Sequence, residues 1–349
     1  MIRKGYSFDD VLLVPRFCDI KSRKDVDTSV QFGGLKLEIP VLSANMDTIT
    51  GLQMANTMCY LGGLGVMHRF CTIDENVQMF RQLGTGNGGG VAVNSLGVNE
   101  NLDRFDALYD AGARYFCVDV AHGHTKAIGK FVKTLRQSKD IFIIAGNVAT
   151  HAAADYLASC GADAIKVGIG PGSVCTTRLK TGCGVPQLTA IMDCSKVDRL
   201  IIADGGIRTP GDAVKALAAG AHVVMIGGML AGCDETPGEL HKDYKNISEA
   251  ASGMPSGPSY KLFRGMASKE AQEEFFGSQA EWKTAEGIEI KVRAKGPVTK
   301  VISDLVGGIR SAMTYMGAKD LSALRRNAEF IEITPNGVSE SKPHGEGRL

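Results

Sequence analysis

Short apolar runs alternate along most of the chain with longer amphipathic stretches. A short, β-branched run between glycine or polar residues is typical of a buried strand, whereas a longer stretch with one apolar face is typical of a helix. The pattern predicts eight strands, which lie at Pro40–Ser43, Gly63–Met67, Val91–Asn94, Tyr115–Val120, Ile141–Gly146, Ala164–Ile169, Leu200–Asp204 and His222–Ile226.

Helix-length stretches separate these strands. The clearest are Asn101–Ala113, Lys126–Gln137, Ala152–Gly161 and Pro210–Ala219. Eight strands, each followed by a helix, predict an α/β fold with a single (β/α)8 barrel of the TIM type across residues 1–349. A doubly wound open sheet is the alternative, although such a sheet rarely needs eight regular units.

A long excursion, residues 234–296, follows the eighth predicted strand. It contains a Gly/Ser/Pro-rich segment at 246–259 and an alternating, strand-like piece at Ile288–Ala294. Because excursions of this length in a barrel usually cover the site, we expect a lid. A helix is predicted over Val298–Tyr315, and the polar residues 336–349 predict a disordered tail.

Composition narrows the class of protein. The chain has 349 residues, 44% of them hydrophobic and 22% charged, with a formal net charge of +1. This balance gives no support for a nucleic-acid or membrane partner. The first ten residues lack the apolar core of a signal peptide, and no apolar run is long enough to span a bilayer, so a cytoplasmic location is expected. Nine scattered cysteines without a CxxC pair predict reduced thiols.

Polar and glycine residues cluster where the predicted strands end, which is where barrel enzymes place their chemistry. The Asp-Gly-Gly segment at 204–206 and the glycines at 227–228 offer backbone N–H groups that can approach phosphate oxygens closely. Asp204 would repel phosphate and is better suited to accept hydrogen bonds from sugar hydroxyls. Glycines also turn chains without any function. With Ser173 and its neighbouring glycines, however, the pattern favours a phosphate-bearing ligand.

Residues 164–178, AIKVGIGPGSVCTTR, combine a strand with a glycine-rich loop. Cys175 stands alone at the end of this loop. A thiolate in a partly open, electropositive setting is an effective nucleophile. The alternative is a plain turn with an inert thiol, since most cysteines pack as small hydrophobes.

The strings GIGPGSVCTTR, ADGGIRTPGD, IGGMLAG and FDDVLLVP resemble the IMP dehydrogenase/GMP reductase family over nearly the whole chain. Three features favour the reductase branch. Residues 44–48 (ANMDT) and 178–182 (RLKTG) resemble reductase forms. Residues 265–287 resemble the reductase lid and lack the Arg-Tyr pair by which dehydrogenases activate water. Residues 81–90 leave no room for the regulatory CBS modules usually inserted there in dehydrogenases, although forms common in dehydrogenases occur at 119–124.

The resemblance implies NADPH-dependent reductive deamination of GMP to IMP and ammonia. Cys175 would attack carbon 2 of the purine, while Thr177 and Glu286 would supply the proton. The chemistry is consistent, since an aromatic amino group leaves only after its carbon becomes tetrahedral and the nitrogen is protonated. A solvated surface carboxylate is the alternative for Glu286.

The resemblance also implies the binding residues and a homotetramer. Phosphate and ribose would be held by Ser173, Asp204, Gly206, Gly227 and Gly228. The base would be bordered by Met266, Ala267 and Gly287. The cofactor would meet Asp119, Ala121 and Arg178, although Arg178 could equally hold its own loop. A potassium ion would take the backbone carbonyls of Gly170, Gly172 and Cys175.

The chain departs from the reductase pattern at two places near the base. Ala267 stands where reductases have Ser, and Lys283 stands where they have Arg. Lysine cannot make the bidentate contact of arginine, so guanine would be recognised differently at this edge.

Three alternatives remain open. The nearest is an NAD-dependent IMP dehydrogenase without CBS modules, converting IMP to XMP. A non-catalytic nucleotide-binding barrel would not need Cys175, Thr177 and Glu286 together. A flavin-binding barrel shares the phosphate site but would not require the cysteine loop. His122 and His124 lack a third ligand nearby in sequence, which disfavours a metal pair.

Overall fold

The computed structural model describes residues 2–84, 90–98, 102–243, 257–278 and 284–343. An N-terminal segment with two 3-10 helices, Phe8–Asp10 and Arg23–Asp25, precedes the barrel. Its strands are β1 (Val11–Leu13), β2 (Val30–Phe32) and β3 (Leu35–Leu37).

Eight parallel strands close into a barrel, so the predicted fold class is confirmed. They are β4 (Val41–Ser43), β5 (Leu64–Met67), β6 (Ala92–Leu96), β7 (Tyr115–Asp119), β8 (Phe142–Val148), β9 (Ala164–Val167), β10 (Leu200–Asp204) and β11 (Val223–Ile226). Each pairs with its neighbours in chain order, and β11 pairs with β4 to close the ring. Each of the eight overlaps one of the strands that the hydrophobic pattern predicts. The apolar runs identify them because helices cover a parallel barrel and bury both strand faces.

Helices follow the strands around the outside. They are α1 (Leu52–Tyr60), α2 (Ile73–Gln82), α3 (Asp103–Asp110), α4 (Lys126–Ser138), α5 (His151–Ser159), α6 (Thr177–Thr181), α7 (Gln187–Cys194) and α8 (Pro210–Ala218). Threonines at 72, 125, 150 and 209 begin α2, α4, α5 and α8, each accepting a hydrogen bond from a backbone N–H of the first turn. These caps satisfy groups that the helix itself leaves unpaired and fix where each helix begins.

The excursion after β11 forms an antiparallel pair with a helix between its strands: β12 (Tyr260–Arg264), α9 (Lys269–Phe276) and β13 (Glu289–Arg293). The chain ends with α10 (Val298–Tyr315), α11 (Leu321–Asn327), β14 (Phe330–Glu332) and α12 (Pro335–Glu340). Helix α10 packs on α8 so closely that a Cβ at Gly308 would lie 2.3 Å from the Cβ of Pro210. Strand β14 pairs antiparallel with β1 and joins the two ends of the chain.

Helix α10 has the predicted bounds, and β13 lies within the predicted strand. In the first part of the tail predicted over 336–349, the structure has helix α12, which extends to Glu340 with Thr334 as its cap. Residues 344–349, residues 246–256 of the Gly/Ser/Pro-rich segment and Lys283 lie outside the described residues. Among the helices that the structure describes, none combines the length and apolarity needed to cross a bilayer.

Candidate active site

A cavity of about 910 Å³ opens at the C-terminal ends of the barrel strands. Its wall combines the loops that follow these strands with residues of the excursion. The predicted site residues that line it are Asp119, Ala121, Gly170, Gly172, Ser173, Cys175, Thr177, Arg178, Asp204, Gly206, Gly227, Gly228, Met266, Ala267 and Glu286. Gly287 is not one of the lining residues, but it pairs with Cys175 in an antiparallel bridge.

A thiol, a hydroxyl and a carboxylate meet in this cavity. The Cys175 Sγ lies 3.2 Å from the Thr177 Oγ1, and the same hydroxyl donates to the Glu286 Oε2 at 2.7 Å. Thr177 is the first residue of α6, while Glu286 reaches it from far along the chain, just before β13. A nucleophile, a relay and a carboxylate within hydrogen-bonding reach form an arrangement suited to covalent catalysis with proton transfer.

Backbone hydrogen bonds join the cysteine loop to the excursion. The N–H of Thr176 donates to the carbonyl of Glu286 at 2.9 Å, and the N–H of Ile288 donates to the carbonyl of Val174 at 3.0 Å. These bonds place Cys175 opposite Gly287 in a short antiparallel bridge. The carboxylate is therefore positioned by main-chain pairing as well as by its own hydrogen bond.

A glycine-lined concavity lies beside the thiol. Gly205 and Gly206 have φ values of 89° and 78°, a left-handed backbone that favours glycine. A Cβ at Gly228 would lie 2.9 Å from the Ser173 Oγ, so a larger residue there would displace this hydroxyl. Gly227 faces the Met46 sulfur, which a Cβ would meet at 3.2 Å. The concavity can admit phosphate oxygens to backbone N–H groups without obstruction by side chains.

One buried lysine joins two of the predicted carboxylates. The Lys166 Nζ lies 2.7 Å from the Asp119 Oδ1 and 2.9 Å from the Asp204 Oδ2. The Asn147 amide donates to the same Asp204 oxygen at 2.8 Å. Burial opposes ionisation of Asp119, but the Lys166 ammonium outweighs it and holds the pKa of Asp119 below its ordinary value. Both carboxylates thus face the cavity with one counterion between them.

The excursion is fastened to the barrel by an ion-pair cluster. The Arg264 guanidinium makes two bonds to the Asp47 Oδ2, at 2.9 and 2.5 Å, and a third contact to Glu274 of α9 at 2.6 Å. On the other side of α9, the rings of Phe70 and Phe275 lie 5.2 Å apart. The part of the cavity wall formed by Met266 and its neighbours is therefore anchored by charge and by aromatic packing.

Arg178 holds its own loop in this structure. Its Nε donates to the Ile169 carbonyl at 3.2 Å and its Nη2 to the Val185 carbonyl at 2.6 Å. Gly170 and Gly184 lie against it so closely that a Cβ on either would come within 2.7 Å of its side chain. These contacts fit the loop-holding role, and a contact to a cofactor stays a prediction.

Sequence reasoning missed Lys166, Asn147 and Arg264. Lys166 gave the clearest signal, because a lysine inside an otherwise apolar strand must find a charged partner when buried. Asn147 and Arg264 carry no such signal, since their partners lie far away in sequence. The His122 and His124 rings lie 6.5 Å apart, and the described residues hold no cluster of three or more His, Cys, Asp or Glu arranged for a metal ion.

A closed parallel barrel with a thiol, a hydroxyl and a carboxylate beside a glycine-lined concavity defines a (β/α)8-barrel enzyme site. A family model described as IMP dehydrogenase / GMP reductase domain matches residues 5–344. The chain belongs to this family, and hence to the oxidoreductases of purine metabolism.

Relatives from both branches match almost the full chain. GMP reductase 2 of Homo sapiens is 38% identical over 346 residues, covering 94% of each chain. Inosine-5'-monophosphate dehydrogenase of Nitrosopumilus maritimus is 32% identical over 480 residues, covering 98% of each. These identities do not separate the branches.

Solved structures divide in the same way. Inosine 5'-monophosphate dehydrogenase from Legionella pneumophila is 52% identical with a TM-score of 0.83, covering 96% of this chain and 100% of that one. A GMP reductase variant from Trypanosoma brucei, in complex with guanosine 5'-monophosphate, is 29% identical with a TM-score of 0.90, covering 99% of each chain.

Proposed function

We propose that this protein is a GMP reductase that converts GMP to IMP and ammonia with NADPH. The observation that carries the proposal is the hydrogen-bonded series from Cys175 through Thr177 to Glu286. It provides a nucleophile and a proton source on the same side of one cavity. Support for a nucleotide substrate comes from the glycine-lined concavity and from the Trypanosoma brucei neighbour, which was solved with guanosine 5'-monophosphate.

In the proposed reaction, the Cys175 thiolate adds to carbon 2 of the purine and makes that carbon tetrahedral. Thr177 then passes a proton from Glu286 to the exocyclic amine, the carbon–nitrogen bond breaks, and ammonia leaves. NADPH supplies the hydride that converts the remaining thioimidate to IMP as the thiolate departs. The hydroxyl is placed for this relay because it bonds Glu286 and also contacts the Cys175 Sγ, to which the purine would be attached.

The cavity suits a nucleotide and a nicotinamide together. Its volume of about 910 Å³ lies near the upper end of the range for small-molecule sites, roughly 300–1,000 Å³. Ser173 with Gly206, Gly227 and Gly228 would hold the phosphate, and Asp204 the ribose. Asp119 and Ala121 also line the cavity, and the nicotinamide would lie against them.

A potassium ion fits the cysteine loop in part. Backbone carbonyls of Gly170, Gly172 and Cys175 are the neutral oxygen ligands that potassium takes in proteins. The Gly172 carbonyl already accepts a hydrogen bond from the Cys175 N–H at 3.1 Å, which leaves one lone pair for an ion. A bound ion would stiffen the loop that carries the nucleophile.

An NAD-dependent IMP dehydrogenase is the second candidate. The observation that favours it is the 52% identical solved structure from Legionella pneumophila, which exceeds the identity to the reductases compared here. The observation against it is that residues 265–287 contain neither Arg nor Tyr for activating water.

One assay separates the two candidates. Purified protein is mixed with GMP and NADPH, and loss of reduced-nicotinamide absorbance is followed together with ammonia release. The same protein is then mixed with IMP and NAD. We expect turnover with the first pair, and production of XMP from the second pair alone would refute the proposal. Cys175→Ala should abolish turnover, whereas Cys183→Ala, which alters an exposed thiol, should not.

A further inference from the structure

Lys166 occupies an unusual place for a lysine, in the middle of the barrel wall. It lies on β9 with only 2% of its surface exposed. In register it pairs with Ile202 of β10 and Gly146 of β8. Its ammonium bonds Asp119, at the end of β7, and Asp204, at the end of β10. One side chain therefore spans the barrel interior between two strands that are not neighbours.

The two carboxylates and the ammonium depend on one another for their charge. A buried ion is costly unless it is paired, and removal of one partner leaves the others uncompensated. Burial favours the neutral form of Lys166, but Asp119 and Asp204 outweigh it and hold its pKa above the ordinary value. Lys166 in turn holds the pKa of Asp119 low, as described above. Lys166 and Asp119 thus favour each other's charged form, and the same ammonium also bonds Asp204.

Other groups act on one carboxylate rather than on both. The Asn45 side chain bonds Asp119, and the Arg69 guanidinium stabilises its charge from a greater distance. Asn147 bonds Asp204. The Cys117 thiol also faces Lys166, but burial raises its pKa and keeps it neutral.

We propose that Lys166 is a positioning residue that bonds the Asp119 and Asp204 carboxylates at the same time and thereby couples the two ligand subsites. The inference rests on the proposed function for its assignment of Asp204 to the nucleotide ribose and Asp119 to the cofactor side. If Asp119 loses its charge, the Lys166 ammonium interacts more strongly with the Asp204 carboxylate. That carboxylate then becomes a weaker acceptor for sugar hydroxyls, although Asp119 itself need not touch the nucleotide.

The first test is Asp119→Asn, with nucleotide binding measured by calorimetry in the absence of cofactor. We expect the dissociation constants of GMP and IMP to rise about fivefold or more, the lower end of typical coupling between sites. Asp155→Asn, on the exposed face of α5, is the matched control and should bind as the wild type does. Unchanged nucleotide binding by Asp119→Asn would overturn the inference.

The second test is Lys166→Met, with nucleotide affinity measured across the neutral pH range. Without the ammonium, two carboxylates share a buried site, and one takes up a proton near neutrality. Affinity should therefore fall as pH is lowered, whereas the wild type stays flat. The double variant Asp119→Asn with Lys166→Met lacks the like charge and should recover the flat profile. If Lys166 had only a structural role, Lys166→Met would lose nucleotide affinity equally at every pH. A pH profile of affinity parallel to that of the wild type would therefore contradict coupling.

The experiments also separate this inference from the proposed function. Wild-type protein that binds neither GMP nor IMP contradicts both. Wild-type protein that binds nucleotide but is insensitive to Asp119→Asn contradicts the inference alone. If Lys166→Met does not fold, Asp119→Asn decides the question, because it retains the lysine and one full charge pair.

Discussion

Thr177→Val tests the proton relay most directly. Valine has nearly the shape of threonine and keeps the branched carbon at the start of α6. The substitution removes one hydroxyl, and with it the 2.7 Å bond to Glu286 and the 3.2 Å contact to Cys175. Nucleophile and carboxylate both remain, but nothing joins them.

The expected loss follows from these two contacts. A hydrogen bond to a charged group contributes about 1.5–3 kcal/mol. A positioned proton donor contributes roughly 100- to 10,000-fold in rate. We therefore expect kcat to fall by about 100- to 10,000-fold, or about 2.7–5.5 kcal/mol of barrier. KM for GMP should change little, because Thr177 lies outside the glycine-lined concavity.

The assay is steady-state kinetics with GMP and NADPH, combined with mass spectrometry of Cys175 for trapped adduct. Thr181→Val is the control, since this hydroxyl lies one turn further along α6 and bonds the backbone carbonyl of Thr177. Its kcat should stay within about threefold of the wild type, as for a surface change away from the reacting atoms. A Thr177→Val enzyme that keeps wild-type kcat would refute the relay.

Three further predictions concern binding and stability. Gly228→Ala presses a methyl group against the serine hydroxyl 2.9 Å away and should raise the GMP dissociation constant about tenfold, as loss of one phosphate contact worth ~1.4 kcal/mol, while guanosine affinity stays unchanged. In Gly308→Ala, the new methyl group would lie 2.3 Å from Pro210, and we expect the free energy of unfolding, measured by denaturant titration, to fall by about 1–3 kcal/mol. Gly307→Ala on the same helix points into open space and should raise that free energy by about 0.5–1 kcal/mol. Burial lowers the pKa of His222 from 6.5 to about 4, so the unfolded chain binds the proton more readily than the folded one. The free energy of unfolding should therefore fall as pH drops from 6.5 toward 4. His222→Gln should reduce this pH dependence.

The barrel could be predicted from sequence because its strands are buried on both faces. Each therefore appears as an apolar run, and the glycines that follow mark the ends where chemistry lies. The tail could not be predicted in the same way. Helix α12 has no buried residue, and its start depends on a capping threonine rather than on an apolar face. Hydrophobic periodicity gives no signal for such a helix.

The site was predictable where its residues are neighbours in the chain. Ser173, Cys175 and Thr177 are close neighbours in the chain, so their proximity follows from sequence. The contact between Thr177 and Glu286 depends on how the excursion folds back, and composition does not encode that path. Lys166 was visible as an anomaly, yet only the closed barrel shows which carboxylates it joins.

The pairing of residues 174–176 with 286–288 determines on which side of the extended segment the Glu286 side chain lies. Side chains alternate between the two sides of an extended segment, so a shift of one residue would turn Glu286 away from the thiol. Insertions between α9 and the paired segment leave the Glu286 side chain on the same side, whereas one extra residue between Glu286 and Ile288 would place it on the other side. The excursion can therefore vary in length between α9 and residue 286 without turning the Glu286 carboxylate away from the thiol.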